Sequence, residues 1–413
     1  MAYLAALKFS VPQVKMKNSN KKQNVLVILG TRPEAIKLVP VIRALQKNKA
    51  YDVSVCATGQ HTDMIFPILD WFGISRDYTL DVMRHQQPLS HLAGRLLSGL
   101  HDVIEQATPD IIMVQGDTTS AFIGALASYY SYDHFWKNQL RNTPMRIAHI
   151  EAGLRTGDNY SPYPEEVNRR LIGHMSHWNF APTKQAAQAL AHEGITQNVY
   201  VTGNTVIDAL FETRDMLAKK PLNPIANIPA NQKIVLVTSH RRENYGDGLK
   251  EICKAVKQLA KKYAKQNVQF VYPVHLNQHV QKTGHEALAD ITNVHLIKPL
   301  DYPEFVALMQ RAHMVLTDSG GVQEEAPSLG KPVLVMRDNT ERPEAVIAGT
   351  AKLVGARSEQ IIQHTIELFE NDVLYAKMAK AANPYGDGKA ANRIINIFSG
   401  KHSASNVFEY KAA

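Results

Sequence analysis

The segment Asn24-Val25-Leu26-Val27-Ile28-Leu29-Gly30-Thr31-Arg32-Pro33-Glu34-Ala35-Ile36-Lys37 decides the fold. Its first six residues read as a strand. Thr31 and Glu34 then have capping-box spacing, and Pro33 is acceptable in a first helical turn. A strand that passes through one glycine into a helix is half of a βα unit, and the pattern recurs. Val53–Ala57, Ile111–Gln115 and Arg146–Ile150 read as further strands, separated by helical stretches such as Ala35–Asn48 and Leu89–Ala107. Alternation of this kind predicts a parallel sheet with helices on both faces. It restarts after residue 230 with Ile234–Thr238, Val268–Tyr272, Val294–Ile297, Met314–Thr317 and Val333–Met336. Between the halves, Pro221–Ala230 holds three prolines in ten residues and reads as a linker. The expectation is an α/β protein of two Rossmann-like domains with a central cleft. Tyr129–Thr143 reads as an extended helix-to-strand connection, and the polar tail over residues 400–413 as mobile.

Composition narrows the class. With 413 residues, 45% hydrophobic and 20% charged, the chain suits two or three globular cores of about 150 residues each. No apolar run approaches the roughly 18 residues of a membrane helix, so no membrane partner is expected. Met1–Leu7 is apolar, but its lysines follow the apolar stretch, the reverse of a secretory signal. The net charge is +8, of which five lysines lie in residues 1–23, leaving +3 on the rest. That excess sits in a leader expected to be disordered, which argues against a nucleic-acid partner. Cys56 and Cys253 are isolated, so neither a disulfide framework nor a thiolate metal site is expected, and a reducing cytoplasm fits.

Ligands of open α/β sheets bind beyond the carboxyl ends of the strands. A helix start explains Gly30, Thr31, Pro33 and Glu34 but not Arg32 and Lys37, which point to an anion at the helix N-terminus. Asp117 in Gln115-Gly116-Asp117-Thr118-Thr119 and Glu151 in His149-Ile150-Glu151-Ala152-Gly153 place two carboxylates at one rim. A third, Glu165, opens a helix after Pro164, with Arg169 four residues on as its expected partner. Clustered carboxylates suit proton transfer because their pKa values are driven apart. In the second half, Thr238-Ser239-His240-Arg241-Arg242-Glu243-Asn244 concentrates positive charge as a pyrophosphate would require. Asp318-Ser319-Gly320-Gly321-Val322-Gln323-Glu324-Glu325 lets backbone approach a phosphate and sets Glu325 within reach of ribose hydroxyls. Arg342 supplies one more cation. No Walker A or HExxH motif is present, and the one GxGxxG/A match, Gly386–Ala391, follows Asn383-Pro384 rather than a strand. A cofactor-free enzyme with a nucleotide-diphosphate ligand and no metal is expected.

Gly30–Glu34, Gly116–Thr118, His149–Arg155, Ser161–Arg170, His240–Asn244, Asp318–Pro327 and Arg342–Glu344 together resemble the bacterial non-hydrolysing UDP-N-acetylglucosamine 2-epimerases. The resemblance runs in order from about Asn24 to Phe398. It implies the GT-B fold: residues 24–205 as first domain, 206–384 as UDP-binding domain, and 385–399 as a C-terminal helix crossing back. It implies a homodimer that interconverts UDP-GlcNAc and UDP-ManNAc without NAD or metal. In that family UDP is eliminated as the C2 proton leaves, giving 2-acetamidoglucal, and re-adds after reprotonation. Carried over by motif, Asp117, Glu151 and Glu165 are the acid/base candidates, with His240 near the diphosphate and a further catalytic candidate. Arg32, Lys37, Arg169, Ser319, Gly320, Gly321, Glu325 and Arg342 are the expected substrate contacts. Phe305 stands beside uracil, reached also by the Leu300 backbone.

Three alternatives share these motifs in part: an epimerase of UDP-2,3-diacetamido-glucuronic acid, a hydrolysing epimerase, and a GT-B glycosyltransferase. Many relatives bind a second, activating UDP-GlcNAc beside the active site. The matching positions are Gln60, Asp63, Gln86, Glu165, Arg241 and His275. Asp63 replaces a longer Gln and Gln86 replaces an Arg, so weak or absent activation is expected unless Arg84 compensates through a shifted loop.

Overall fold

The computed structural model describes residues 22–60, 62–84, 86–138, 145–401 and 407–410. The expected leader lies outside these residues except for Lys22 and Gln23. Seven parallel strands, β1 (Gln23–Leu29), β2 (Tyr51–Ala57), β3 (Tyr78–Thr79), β4 (Ile111–Gln115), β5 (Arg146–Ile150), β6 (Trp178–Ala181) and β7 (Val199–Val201), lie in the order β3-β2-β1-β4-β5-β6-β7. Six more, β8 (Lys233–Thr238), β9 (Val268–Pro273), β10 (Val294–Ile297), β11 (Ala312–Thr317), β12 (Val333–Val335) and β13 (Ala351–Leu353), form a second parallel sheet ordered β10-β9-β8-β11-β12-β13. Counted from its own first strand, the second sheet runs 3-2-1-4-5-6, the doubly wound Rossmann order, and the first runs the same way with a seventh strand added at the edge. The central strands are apolar on both faces: Val25–Leu29 and Ile234–Val237 are fully buried. Such strands need helices on each side.

Strand order reverses between β1 and β4 in one sheet and between β8 and β11 in the other. The turns that follow those four strands carry most of the expected site. The first of them is fixed by Glu34, whose carboxylate accepts the N–H groups of Gly30 (2.8 Å) and Thr31 (2.6 Å) and the Thr118 hydroxyl (2.6 Å). This capping box starts the helix at Arg32, one turn earlier than the apolar pattern suggests, and it runs to Gln46.

The expectation for Tyr129–Thr143 is corrected over its first part. Helix Thr119–Lys137 continues through Tyr129, because Ala127, Ser131 and Phe135 recur at four-residue spacing and are buried while Tyr129, Tyr130 and Tyr132 face solvent. Residues 139–144 lie outside the described residues.

The domains share helix Thr205–Lys219, which packs on helix Arg32–Gln46 of the first and on helix Tyr302–Arg311 of the second. The chain returns through Asn383–Lys389 into helix Ala390–Phe398, whose Phe398 ring meets Trp178 (4.9 Å) and Phe180 (5.5 Å) under the first sheet. The glycines of the GxGxxG-like match belong to this crossing. Gly388 has φ +75°, and a Cβ there would stand 2.4 Å from the Phe211 ring. The helix N-terminus they precede is occupied by a carboxylate: Asp208 accepts the N–H groups of Ala390 (3.2 Å) and Ala391 (2.9 Å). The expectation of a mobile tail is corrected at Phe408, which is buried under the Arg393 guanidinium while its N–H donates to Val201 O at 2.7 Å. Residues 402–406 and 411–413 lie outside the described residues.

Burial pushes the Asp208 carboxyl up to about 7, well above the roughly 3.9 of an unfolded aspartate. The folded chain therefore holds more protons than the unfolded one between those values, and stability is lost as pH rises through that window. Melting temperatures of wild type and Asp208→Asn, compared from about pH 5 to about pH 8, should show the wild-type advantage shrinking as pH rises. A constant difference would mean that Asp208 is ionised throughout.

Candidate active site

Glu151 follows β5 and is 8% exposed. Its φ of +63° is left-handed, a conformation that costs a non-glycine residue about 1–3 kcal/mol. The backbone turn aims its carboxylate at Lys37, whose Nζ lies 2.5 Å from Oε2; Gln115 Nε2 donates to the same oxygen at 2.8 Å. Arg342 reaches across from the second domain, with Nη2 3.9 Å from Oε1. Burial alone would raise the Glu151 pKa, but Lys37 and then Arg342 outweigh it and hold the carboxyl below the usual range. The same pair holds Lys37 above its ordinary value in spite of burial.

Asp117, after β4, takes an ion pair from Arg169, and its backbone carbonyl accepts from Asn168 Nδ2 at 2.9 Å. This corrects the expected Glu165–Arg169 pair. Arg169 turns to Asp117 and to Glu166 (3.3 Å), because Glu166 is fully buried and needs a cation, whereas Glu165 is only partly buried. Glu165 is left with one buried carboxylate oxygen that has no hydrogen-bond partner. Burial, reinforced by the charge of Asp117, raises its pKa. One rim thus carries an acid held ionised and an acid pushed toward its protonated form.

In the second domain the turn after β8 is wound around one fully buried carboxylate. Asp318 accepts from the Ser239 hydroxyl (2.9 Å), the His240 N–H (3.0 Å), the Arg241 N–H (3.0 Å) and Asn244 Nδ2 (3.0 Å). This sets the His240 ring against that of His275, with centroids 5.7 Å apart, and burial lowers the His240 pKa. Ser319 is the N-cap residue of helix Gly320–Glu325. A Cβ on Gly320 would stand 3.3 Å from the Arg241 guanidinium. Glu325 accepts from the Tyr302 hydroxyl at 2.9 Å, and burial pushes its carboxyl up to about 7. Arg342 is paired with Glu324. Arg32 donates across the cleft to the Leu300 carbonyl at 3.1 Å, and Phe305 packs on the adjoining core. A cavity of about 510 Å³ adjoins this cluster, lined on one side by Gly153–Thr156 and on the other by Arg241 and Asn339–Glu341.

The family profile described as UDP-N-acetylglucosamine 2-epimerase matches residues 43–399. The UDP-N-acetylglucosamine 2-epimerase of Yersinia pestis is 47% identical over 378 residues, 90% of this chain and 97% of the relative. The Escherichia coli K12 enzyme of that name is 45% identical with the same coverage. The crystal structure of the Neisseria meningitidis UDP-GlcNAc 2-epimerase bound to UDP-GlcNAc superposes with a TM-score of 0.83 at 46% identity, covering 91% of this chain and all of that one.

The chain belongs to the UDP-N-acetylglucosamine 2-epimerase family.

A glycosyltransferase from Rickettsia africae, 14% identical with a TM-score of 0.55, shares the fold alone. Within this epimerase fold several of the expected residues meet in two clusters, the first of them joined by Glu324, which was not among them. Lys37, Asp117, Glu151, Arg169, Glu324 and Arg342 form one ionic cluster across the cleft. His240, Arg241 and His275 lie together on the second domain, where Arg241 also pairs with Glu341 at 3.3 Å. Gln60 accepts from Ser120 Oγ at 2.8 Å, Asp63 and Gln86 are exposed, and Arg84 is held by Asp81 at 3.0 Å. Gln115, Tyr302, Glu324 and the organising role of Asp318 escaped sequence reasoning. Among the described residues no cluster of His, Cys, Asp and Glu could hold a metal ion, and no helix is long and apolar enough to cross a membrane.

The Lys37–Glu151 pair is buried, so Lys37→Met strands a carboxylate. Chemical denaturation at pH 7 should show a loss of about 3 kcal/mol or more, the usual result of removing one partner of a buried pair. A loss near zero would mean that Arg342 alone compensates Glu151.

Proposed function

We propose that this epimerase interconverts UDP-GlcNAc and UDP-ManNAc by elimination and re-addition of UDP, without hydrolysis. The C1–O bond to UDP breaks as a carboxylate removes the C2 proton, and the C1–C2 double bond of 2-acetamidoglucal forms. Protonation of C2 from the other face and return of UDP to C1 complete the inversion. The observation that carries this reading is the opposed state of two acids at one rim: Glu151 held ionised by Lys37 and Arg342, and Glu165 driven toward its neutral form by burial and Asp117. Two groups so divided can take a proton on one face and return it on the other. A C2–H is weakly acidic, so stabilising the leaving diphosphate is as important as the base. In this reading Arg32, Lys37, Arg342, His240 and the Ser319–Gly321 backbone take that task, with Glu325 on the ribose and Leu300 and Phe305 at the uracil. Asp117, oriented by Arg169, completes the acid set. The UDP-ManNAc formed would feed cell-surface polysaccharide assembly from the cytoplasm, the enzyme acting as a homodimer.

Purified protein given UDP-GlcNAc alone in D2O should form UDP-ManNAc with deuterium at C2. Asp117→Asn or Glu151→Gln should each slow that exchange by about a hundredfold or more, the scale of acid–base groups. Retention of the C2 hydrogen overturns the elimination, and release of free ManNAc places the chain with hydrolysing enzymes.

Activation by a second UDP-GlcNAc should be weak or absent. A charge-assisted bond is worth about 1.5–3 kcal/mol, and the position that would make it to a second diphosphate is Gln86, while Arg84 is already engaged by Asp81. Starting from UDP-ManNAc alone, turnover should begin without a lag. A lag abolished by traces of UDP-GlcNAc would show a working second site.

A further inference from the structure

One acid in the buried cluster has no task in the reaction described above. Glu324 is 1% exposed and precedes Glu325 on helix Gly320–Glu325. Its Oε1 takes the Nε–H of Arg342, and its Oε2 takes Asn204 Nδ2 at 3.1 Å. Its backbone carbonyl accepts from Asn383 Nδ2 at 2.7 Å. Asn204 and Asn383 mark the two places where the chain passes between domains. Asn204 caps helix Thr205–Lys219 through Val206 N–H (3.0 Å), and its own N–H donates to Tyr385 O at 2.6 Å. One carboxylate therefore touches the interdomain crossing with one oxygen and an active-site cation with the other.

We propose that Glu324 is a positioning residue: it keeps Arg342 from closing on Glu151 and ties the place of Arg342 to the crossing at Asn204. The inference rests on the reading of Glu151 as a proton-transfer group. Lys37 and Arg342 balance Glu151 and Glu324, two cations against two anions. Besides Glu324, Glu151 is the one carboxylate within 4 Å of Arg342 among the described residues. With the Glu324 charge removed, the guanidinium has Glu151 as its nearest anion. Glu151 is also faced by Lys37 from helix Arg32–Gln46, by Gln115 at the end of β4, and by Arg169 from helix Glu165–Met175. A second full ion pair there holds Glu151 more firmly ionised and slows its proton transfer. The site as a whole gains positive charge, which favours the diphosphate. Binding and turnover are therefore driven in opposite directions, a signature that general loosening of the fold does not give.

The test is Glu324→Gln in the full chain, with UDP affinity from calorimetry, kcat and KM for UDP-GlcNAc, and kcat against pH. The expected result is a kcat lower by about tenfold to a hundredfold, the scale of a misplaced catalytic group. UDP affinity should be unchanged or tighter, and the acid limb of kcat should move to lower pH. A kcat within twofold of wild type overturns the proposal, as does a parallel loss of kcat and UDP affinity with an unmoved acid limb. Should Glu324→Gln fail to fold, Asn204→Ser carries the test, because serine still caps the helix while losing the amide donor to Glu324. It should lower kcat in the same direction but less, at nearly unchanged melting temperature; kinetics equal to wild type would overturn the tie to the crossing. A wild-type protein that binds UDP yet leaves UDP-GlcNAc unconverted overturns the epimerase reading instead, so the two failures are distinguishable.

Discussion

Lys37 and Glu151 meet 2.5 Å apart in a place almost closed to water, and much of the cleft is arranged so that they can. Removing either charge from water is costly, and an ion pair offsets that cost only with good geometry and further hydrogen bonds. Gln115 supplies one such bond and Arg342 a second, more distant charge. Lys37 is carried to the spot by a helix whose start is locked by Glu34. Glu151 is carried there by a left-handed backbone turn that a β-branched residue could not adopt cheaply. Because Arg342 belongs to the other domain, the charge state of Glu151 depends on how the two sheets stand to one another.

The two domains share a strand order but not a chemistry. At the first switch point the strand ends present carboxylates; at the second they present backbone, histidine and arginine. The second arrangement depends on Asp318, which gathers two backbone N–H groups and two side chains of the turn after β8. It pins the backbone of His240 and Arg241, and the Arg241 side chain then lines the cavity. Glu151, held by the first sheet, thus faces Arg342, held by the second, across the cleft.

Much of this was legible in the sequence, for identifiable reasons. The strands stood out because their residues are apolar without interruption, and Asp117, Glu151 and His240 because they follow such runs directly. Pairing was less legible. Four-residue spacing joins Glu165 to Arg169 on any helical wheel, but only the fold reveals that the buried Glu166 and the incoming Asp117 claim the same guanidinium. The consecutive acids Glu324 and Glu325 look alike in sequence; they part because adjacent helical positions face different neighbours, Arg342 for one and Tyr302 for the other. Helix Thr119–Lys137 is hard to follow in the sequence beyond Ser128, because three tyrosines on its outer face mask the buried four-residue repeat beneath them.

The return of helix Ala390–Phe398 to the first domain has a consequence for how the protein is made. Phe398 fills the space between Tyr51, Trp178 and Phe180, so the first sheet is finished by residues that leave the ribosome only after every strand of the second. Domains of long chains tend to fold as units in the order of their synthesis. Here the first domain must wait, with an aromatic gap open along one flank, while nearly the whole second domain is translated and folds. Its final packing is a long-range event even though its strands are local, and nascent chains stalled before residue 390 would display that apolar gap to chaperones.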